Sequence, residues 1–164
     1  MRHNKTLLAC LATTLLLSCS KKDENKTETP LPTPEPTTSQ WVLNGNKIVP
    51  NESFAIYGKR GFTFKTNRDG KLYASCSITF TDSLLNAGEY RIGQVSSPTK
   101  EAQILAYIEP AGTDSVFHSR DIETAKVKVT MTADKKAIIE IPEIWVKNPH
   151  TRDSCKLSGT FIEQ

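Results

Sequence analysis

Two glutamates near the carboxyl end of the chain are the best candidates for acid–base chemistry. Glu140 and Glu143 flank Pro142, and a pair of carboxylates can serve as general acid and nucleophile when a suitable distance separates them. In a turn at the end of a strand, however, the same two side chains would be solvated and would contribute only charge. We expect the solvated arrangement and therefore assign no catalytic residue.

Motifs for the other common chemistries are absent from the sequence. Two of the histidines, His118 and His150, lie among polar residues in predicted loops, and neither has a partner at metal-ligand spacing. The sequence contains neither a Gly-x-Ser-x-Gly nucleophile elbow nor a phosphate-binding glycine loop. We expect no metal site, no cofactor and no enzymatic activity.

Trp145 is the one candidate contact residue. It follows Pro142 in a segment predicted to border an irregular loop, where an exposed indole could stack on a sugar or anchor a partner. Most other aromatic residues fall in phase with the apolar face of a predicted strand. We therefore expect Trp145 to pack in the core, with exposure as the alternative.

Cys76 and Cys155 leave two alternatives open. Both fall on the apolar faces of predicted strands, and a disulfide between them would close a loop of about 80 residues, which chain-entropy estimates equate with about 4 kcal/mol of stabilisation. Unpaired cysteine is also among the most frequently buried residue types. The pair is therefore either a disulfide or two buried thiols.

The elements that would position these residues are β-strands. Apolar and polar residues alternate with period two over residues 71–80 and 125–132, which places the apolar side chains on one face of each strand. Asn44-Gly45 and Asp69-Gly70 have the composition of tight hairpin turns. These segments indicate hairpins rather than an alternating helix–strand pattern.

The strand pattern predicts the fold class of residues 40–164. About nine or ten short strands with half-polar faces are typical of an antiparallel β-sandwich, immunoglobulin-like or jelly-roll-like. Pro142 is expected to end its strand or to place it at a sheet edge, because proline has no amide hydrogen to donate to a ladder.

Residues 1–18 have the order of a lipoprotein signal peptide. Arg2 and Lys5 precede an apolar run over residues 7–17, and 11 residues are fewer than the roughly 20 of a membrane-spanning helix. Leu16-Leu17-Ser18-Cys19 resembles a lipobox. We expect cleavage before Cys19 and lipidation of its thiol, which would anchor the chain to a membrane through two or more acyl chains.

A second tetrapeptide, Leu7-Leu8-Ala9-Cys10, has the same short pattern. Cleavage before Cys10 would leave only part of the apolar segment upstream and would keep residues 11–17 in the mature chain. Cys19 follows the whole apolar run and precedes charged residues, so position favours Cys19.

Residues 19–39 are predicted to be a lipidated cysteine followed by a disordered stalk. Prolines alternate at positions 30, 32, 34 and 36 among threonines and charged residues, and such a segment has too little apolar surface to offset its ordering entropy. Removal of residues 1–18 takes away two of the 21 basic residues and none of the 18 acidic ones, which leaves a net charge of +1. Because no basic cluster interleaves with aromatics, we expect no nucleic-acid binding.

The sequence also resembles the small uncharacterised β-rich surface lipoproteins of Bacteroidota. The run of lysine and acidic residues at 18–24 resembles their export region, and residues 41–45, 87–92 and 157–161 resemble segments of their domains. The resemblance implies a lipid-anchored protein of the outer membrane, exposed at the cell surface. It implies no activity, since no activity is known for the group.

Ser83 and Ser115 are candidate O-glycosylation sites. Asp82-Ser83-Leu84 and Asp114-Ser115-Val116 resemble the Asp-Ser/Thr-aliphatic sequences that Bacteroidota modify with O-linked sugars. Two ordinary turns are the alternative interpretation.

The predicted function is a non-enzymatic binding or accessory module on a lipid anchor. Its partners would be the membrane, through Cys19, and a protein or a glycan. An envelope-structural protein that docks on another envelope protein is the alternative. An exposed apolar patch near Trp145 would favour binding, whereas a long unpaired edge strand would favour assembly.

Overall fold

The computed structural model describes residues 36–82, 84–93, 100–109, 115–120 and 124–164. Within these ranges the chain forms one short 3-10 turn, Tyr57–Lys59, and eleven strands: β1 (Gln40–Leu43), β2 (Asn46–Ile48), β3 (Glu52–Ile56), β4 (Gly61–Arg68), β5 (Lys71–Phe80), β6 (Gly88–Ile92), β7 (Glu101–Ile108), β8 (Val116–Ser119), β9 (Lys126–Met131), β10 (Ala137–Lys147) and β11 (Ser154–Ile162). No helix in this part of the chain has the length and apolar character that a bilayer crossing needs.

One continuous sheet contains all eleven strands. Its order is β2-β1-β11-β10-β9-β6-β7-β5-β4-β3, and β8 pairs with both β10 and β7. The sheet folds over on itself: the Phe64 ring of β4 lies 4.8 Å from the Phe161 ring of β11, although five strands separate β4 from β11 in the sheet order. The inner face encloses a single core. The predicted all-β, sandwich-like class is confirmed.

Several details differ from the sequence prediction. The two layers belong to one sheet, whereas immunoglobulin and jelly-roll domains have two separate sheets. β6 and β7 pair in parallel. No alternating pattern in the sequence predicts β3 and β8, because β3 is partly exposed on both faces and β8, with four residues, is too short to reveal a period.

Both predicted hairpin turns are confirmed by the backbone. Asn44 and Gly45 have φ values of 48° and 79° between β1 and β2, and Asp69 and Gly70 have 50° and 74° between β4 and β5. A two-residue type I′ turn requires positive φ at both positions, which asparagine, aspartate and glycine tolerate best.

Pro142 does not end its strand, contrary to the prediction. β10 continues through it and lies inside the sheet between β11 and β9. The ladder has a bulge here: Ile141 pairs with Gly159 and Ile144 pairs with Leu157, so β10 has one residue more than β11 in this interval. A bulge leaves one residue out of the ladder, which suits a residue without an amide hydrogen.

Ser39 joins the start of β1 to the end of β11. Its buried hydroxyl accepts a hydrogen bond from the Ile162 amide at 2.8 Å and lies 3.4 Å from the carbonyl oxygen of the same residue. The two strands then pair from Gln40 with Thr160 to Leu43 with Leu157. The first strand is therefore held by the last one along its whole length.

Candidate binding face

Outward side chains of neighbouring strands form an open groove of about 700 Å³. β1, β11, β10, β9 and β6 lie side by side there. We call this feature the outer groove; its outward-facing lining residues are Gln40, Val42, Lys47, Glu89, Lys126, Lys128, Glu140, Pro142, Ser158 and Thr160.

The centre of the outer groove lies close to the sheet backbone because the outward side chains of β11 there, Ser158 and Thr160, are small. Ser158 pairs with Val42 across the β1–β11 ladder, and Thr160 pairs with Gln40. Pro142 adds its ring from the bulge in β10. The result is a shallow surface with hydroxyl, amide and small apolar groups.

Ion pairs form one wall of the outer groove. Lys126 Nζ lies 2.7 Å from Glu89 Oε2, and Lys128 Nζ lies 3.0 Å from Glu140 Oε2. The hydrogen bond and the positive charge of Lys126 lower the pKa of the Glu89 carboxyl. Lys47 stands on the opposite side, in β2, and makes no hydrogen bond or ion pair with any residue that the structure describes.

Trp145 lies on the same outward face, beyond the bulge. The residue is 49% exposed, and its register partner is Lys156 of β11, whose Nζ lies 5.7 Å from the indole centroid. The same Nζ lies 2.6 Å from Glu143 Oε1. A half-exposed indole therefore stands beside the outer groove with an ion pair next to it.

The expectation that Trp145 packs in the core is wrong, and the bulge at Pro142 gives the reason. Strict alternation from the buried Ile139 and Ile141 would turn position 145 inward. The extra residue reverses the phase, so Ile144 is buried and Trp145 faces outward. Alternation alone cannot reveal a bulge, although a proline in a strand is a signal for one.

Glu140 and Glu143 lie in β10, not in a turn. Each carboxylate is paired with a different lysine: Glu140 with Lys128 and Glu143 with Lys156. The glutamate side chains are 44% and 61% exposed. The structure therefore gives these two groups separate surface ion pairs.

Cys76 and Cys155 are free thiols on β5 and β11. Of the two alternatives left by the sequence, the structure has the buried thiols and lacks the disulfide. Cys76 is fully buried, and burial raises the pKa of its thiol far above the usual range. Burial also raises the pKa of the Cys155 thiol.

The remaining predicted sites are outside the described residues or at their margin. Cys19, the alternative Cys10 and the predicted stalk up to residue 35 lie outside them, as does Ser83. Ser115 is partly buried before β8, where its carbonyl oxygen accepts a hydrogen bond from the Ile108 amide at 3.3 Å. Lipidation and glycosylation stay predictions.

The two histidines lie in different settings. His118 is in β8, opposite Leu105 of β7 and Lys147 of β10, although the sequence predicts a loop there. His150 lies in a turn, as predicted, and its amide donates to Asn148 Oδ1 at 2.8 Å. Among the described residues, no group of three or more histidine, cysteine or acidic side chains is placed to hold a metal.

An ion pair with one buried partner lies next to the outer groove, where β6 pairs with β7. The Glu101 side chain is only 2% exposed and accepts hydrogen bonds from both Nε and Nη2 of Arg91, whose own side chain is 63% exposed. Gly93 provides the space, because a Cβ at that position would lie 3.0 Å from the Glu101 carboxylate. Sequence analysis did not single out this pair, since the parallel pairing that creates it is not predictable from local pattern.

Sequence analysis also missed the polar residues of the outer groove. Gln40, Lys47 and Thr160 occupy outward positions of separate strands, and only the register of the sheet brings them together.

Comparisons of the chain with protein-family models, with curated proteins and with solved structures find no match.

Proposed function

We propose that this chain is a lipid-anchored, non-enzymatic binding module of the outer membrane, exposed at the cell surface. The lipobox at Cys19 supports the anchor, and the outer groove with Trp145 supports the binding face. The proline-rich segment after Cys19 would hold the domain away from the bilayer.

Trp145 is the observation that carries the proposal. An indole that is 49% exposed forgoes burial that would stabilise the fold, and large aromatic side chains are the commonest anchors of binding interfaces. Trp145 belongs to a strand inside the sheet, so its backbone position is fixed before any partner arrives. A rigid aromatic contact reduces the entropy lost on binding.

The alternative, an envelope-structural role, has less support. Assembly by strand addition requires an exposed sheet edge of useful length. The strands at the two ends of the sheet order, β2 and β3, have only three and five residues. A binding face is therefore the better account of the described surface.

The anchor is tested by substitution of the two cysteines near the N-terminus. In cells grown with a fatty-acid analogue, Cys19→Ala should abolish labelling of the protein and leave the uncleaved precursor, since the thioether requires a thiol at that position. Cys10→Ala is the matched control and should be labelled and processed normally. Labelling that persists in Cys19→Ala would contradict the anchor.

The binding face is tested by capture of envelope material on the immobilised full chain. Trp145→Ala should weaken capture about tenfold or more, as expected for an interface residue that contributes 1.4 kcal/mol or more, and should leave the unfolding midpoint nearly unchanged. Because Glu140 lines the outer groove, the double variant Glu140→Gln/Glu143→Gln should retain the cellular phenotype of the wild type as long as it retains capture. Loss of that phenotype in the double variant, with capture and folding intact, would indicate catalysis and refute the proposal.

A further inference from the structure

We infer that the ligand of the outer groove is a linear oligosaccharide, which binds along the outward face of β1, β11 and β10 and stacks one ring on Trp145. This inference rests on the proposed function, because it names the class of ligand for the same face. It is carried by polar groups on the groove that no part of the described protein satisfies.

Four polar side chains on the outer groove have unused hydrogen-bonding capacity. The side chains of Gln40, Lys47, Ser158 and Thr160 make no hydrogen bond or ion pair with any other described residue. Together they offer an amide, an ammonium and two hydroxyls, so the set can both donate and accept. A polyhydroxylated ligand matches such a set, because each sugar hydroxyl also donates and accepts.

The register of the sheet arranges these groups in successive ranks. Gln40, Thr160 and Glu140 form one rank across β1, β11 and β10. Val42 and Ser158 form the next, and Lys156 with Trp145 the third. Successive outward ranks are about 7 Å apart along a strand, so the face extends about 14 Å from the first rank to the indole. This is an elongated site, suited to several consecutive sugar rings rather than to one.

Trp145 supplies the contact that a sugar ring needs besides hydrogen bonds. The C–H face of a pyranose is apolar and packs against an aromatic ring, while its hydroxyls point outward from the edge of the ring. The indole is large, rigid and partly exposed, and it lies in the last of the three ranks, at one end of the site. A chain bound along the groove would thus stack at one end and form hydrogen bonds over the rest.

A protein ligand fits this face less well. Protein interfaces usually have a desolvated centre rich in aromatic and apolar residues. In the outer groove only Val42 and Pro142 present apolar side chains outward, since Trp41 and Ile141 are 1% and 3% exposed. The rest of the surface is charged or polar, which favours a ligand that is itself hydrated and polar.

The experiment applies the purified, detergent-solubilised full chain to an array of linear oligosaccharides that includes β-glucans, xylans, mannans and uronate polymers. We expect retention on at least one class. The best of these is then titrated while acrylamide quenching of tryptophan fluorescence is followed. The chain has two tryptophans, and Trp41 is buried, so the quenchable emission reports on Trp145 and should become protected as the oligosaccharide binds.

Three variants identify the site. Trp145→Ala should raise the Kd at least tenfold, and Thr160→Val, which removes a hydroxyl at nearly constant shape, should raise it several-fold. Tyr57→Ala is the matched control: Tyr57 is 73% exposed and lies outside the outer groove, beside β5 and β7. It should leave the Kd unchanged.

Two outcomes would overturn the inference. The first is that no oligosaccharide on the array retains the chain. The second is that an oligosaccharide binds but neither Trp145→Ala nor Thr160→Val weakens its binding. If the array is blank while Trp145→Ala still loses envelope capture, the ligand is a protein, and the proposed function stands without the oligosaccharide. If Trp145→Ala retains both oligosaccharide binding and envelope capture, the proposed function fails as well.

Discussion

Replacement of Arg91 by methionine should lower the free energy of unfolding by about 1.5–3 kcal/mol, because it removes the charged donor of two hydrogen bonds to a buried carboxylate. The Glu101 side chain is 2% exposed and accepts two hydrogen bonds from the Arg91 guanidinium. Hydrogen bonds to a buried charged group contribute more than those of an exposed ion pair, since water is less able to replace them. Urea unfolding of the full chain measures the change.

A neighbouring ion pair supplies the matched control. Lys126 is the register partner of Arg91 on β9, and it pairs with Glu89 at 2.7 Å, but both side chains are more than half exposed. Lys126→Met should therefore cost less than about 1 kcal/mol. Equal losses for Arg91→Met and Lys126→Met would contradict the prediction.

Replacement of Gly159 by valine should destabilise the domain by about 3 kcal/mol and release β1 from β11, because the side chain has no space on the inner face. A Cβ at Gly159 would lie 2.6 Å from the Cβ of Trp41 and 3.0 Å from the carbonyl oxygen of Gln40. Both of these atoms belong to β1, so the strand must move. Hydrogen exchange should then show faster exchange of the β1 amides than in the wild type.

Ser158→Val is the control for the Gly159 variant. Ser158 is the adjacent residue of β11 but faces outward onto the groove, where a larger side chain meets solvent. We expect a change within about 0.5 kcal/mol and normal protection of β1. If Gly159→Val retains both the wild-type stability and the protection of β1, the close packing of Trp41 against β11 is refuted.

Local sequence patterns predict much of this fold because they reflect local backbone geometry. Asn44-Gly45 and Asp69-Gly70 specify their turns through the φ values that they allow. Ala74 and Cys76 reveal the inner face of β5 through strict alternation. The all-β class follows from these signals alone.

The candidate site is less predictable, since it depends on a phase shift and on long-range register. Trp145 is outward only because one extra residue at Pro142 reverses the alternation. Gln40 and Thr160 are register partners but lie at opposite ends of the domain sequence, so no local pattern joins them. The outer groove forms because strands far apart in the chain become neighbours in the sheet, and local sequence patterns do not contain this strand order.

The bond between Ser39 and Ile162 determines how the domain would bear mechanical load. Under the proposed anchor, a pull from the membrane reaches the domain through Ser39, directly before β1, which is paired antiparallel to β11. Force along a strand loads all hydrogen bonds of its ladder together, whereas force across a strand breaks them one at a time. For a pull directed along β1, drag on a ligand held across β1, β11 and β10 would therefore load the ladder in shear, and the first strand would resist extraction as a unit.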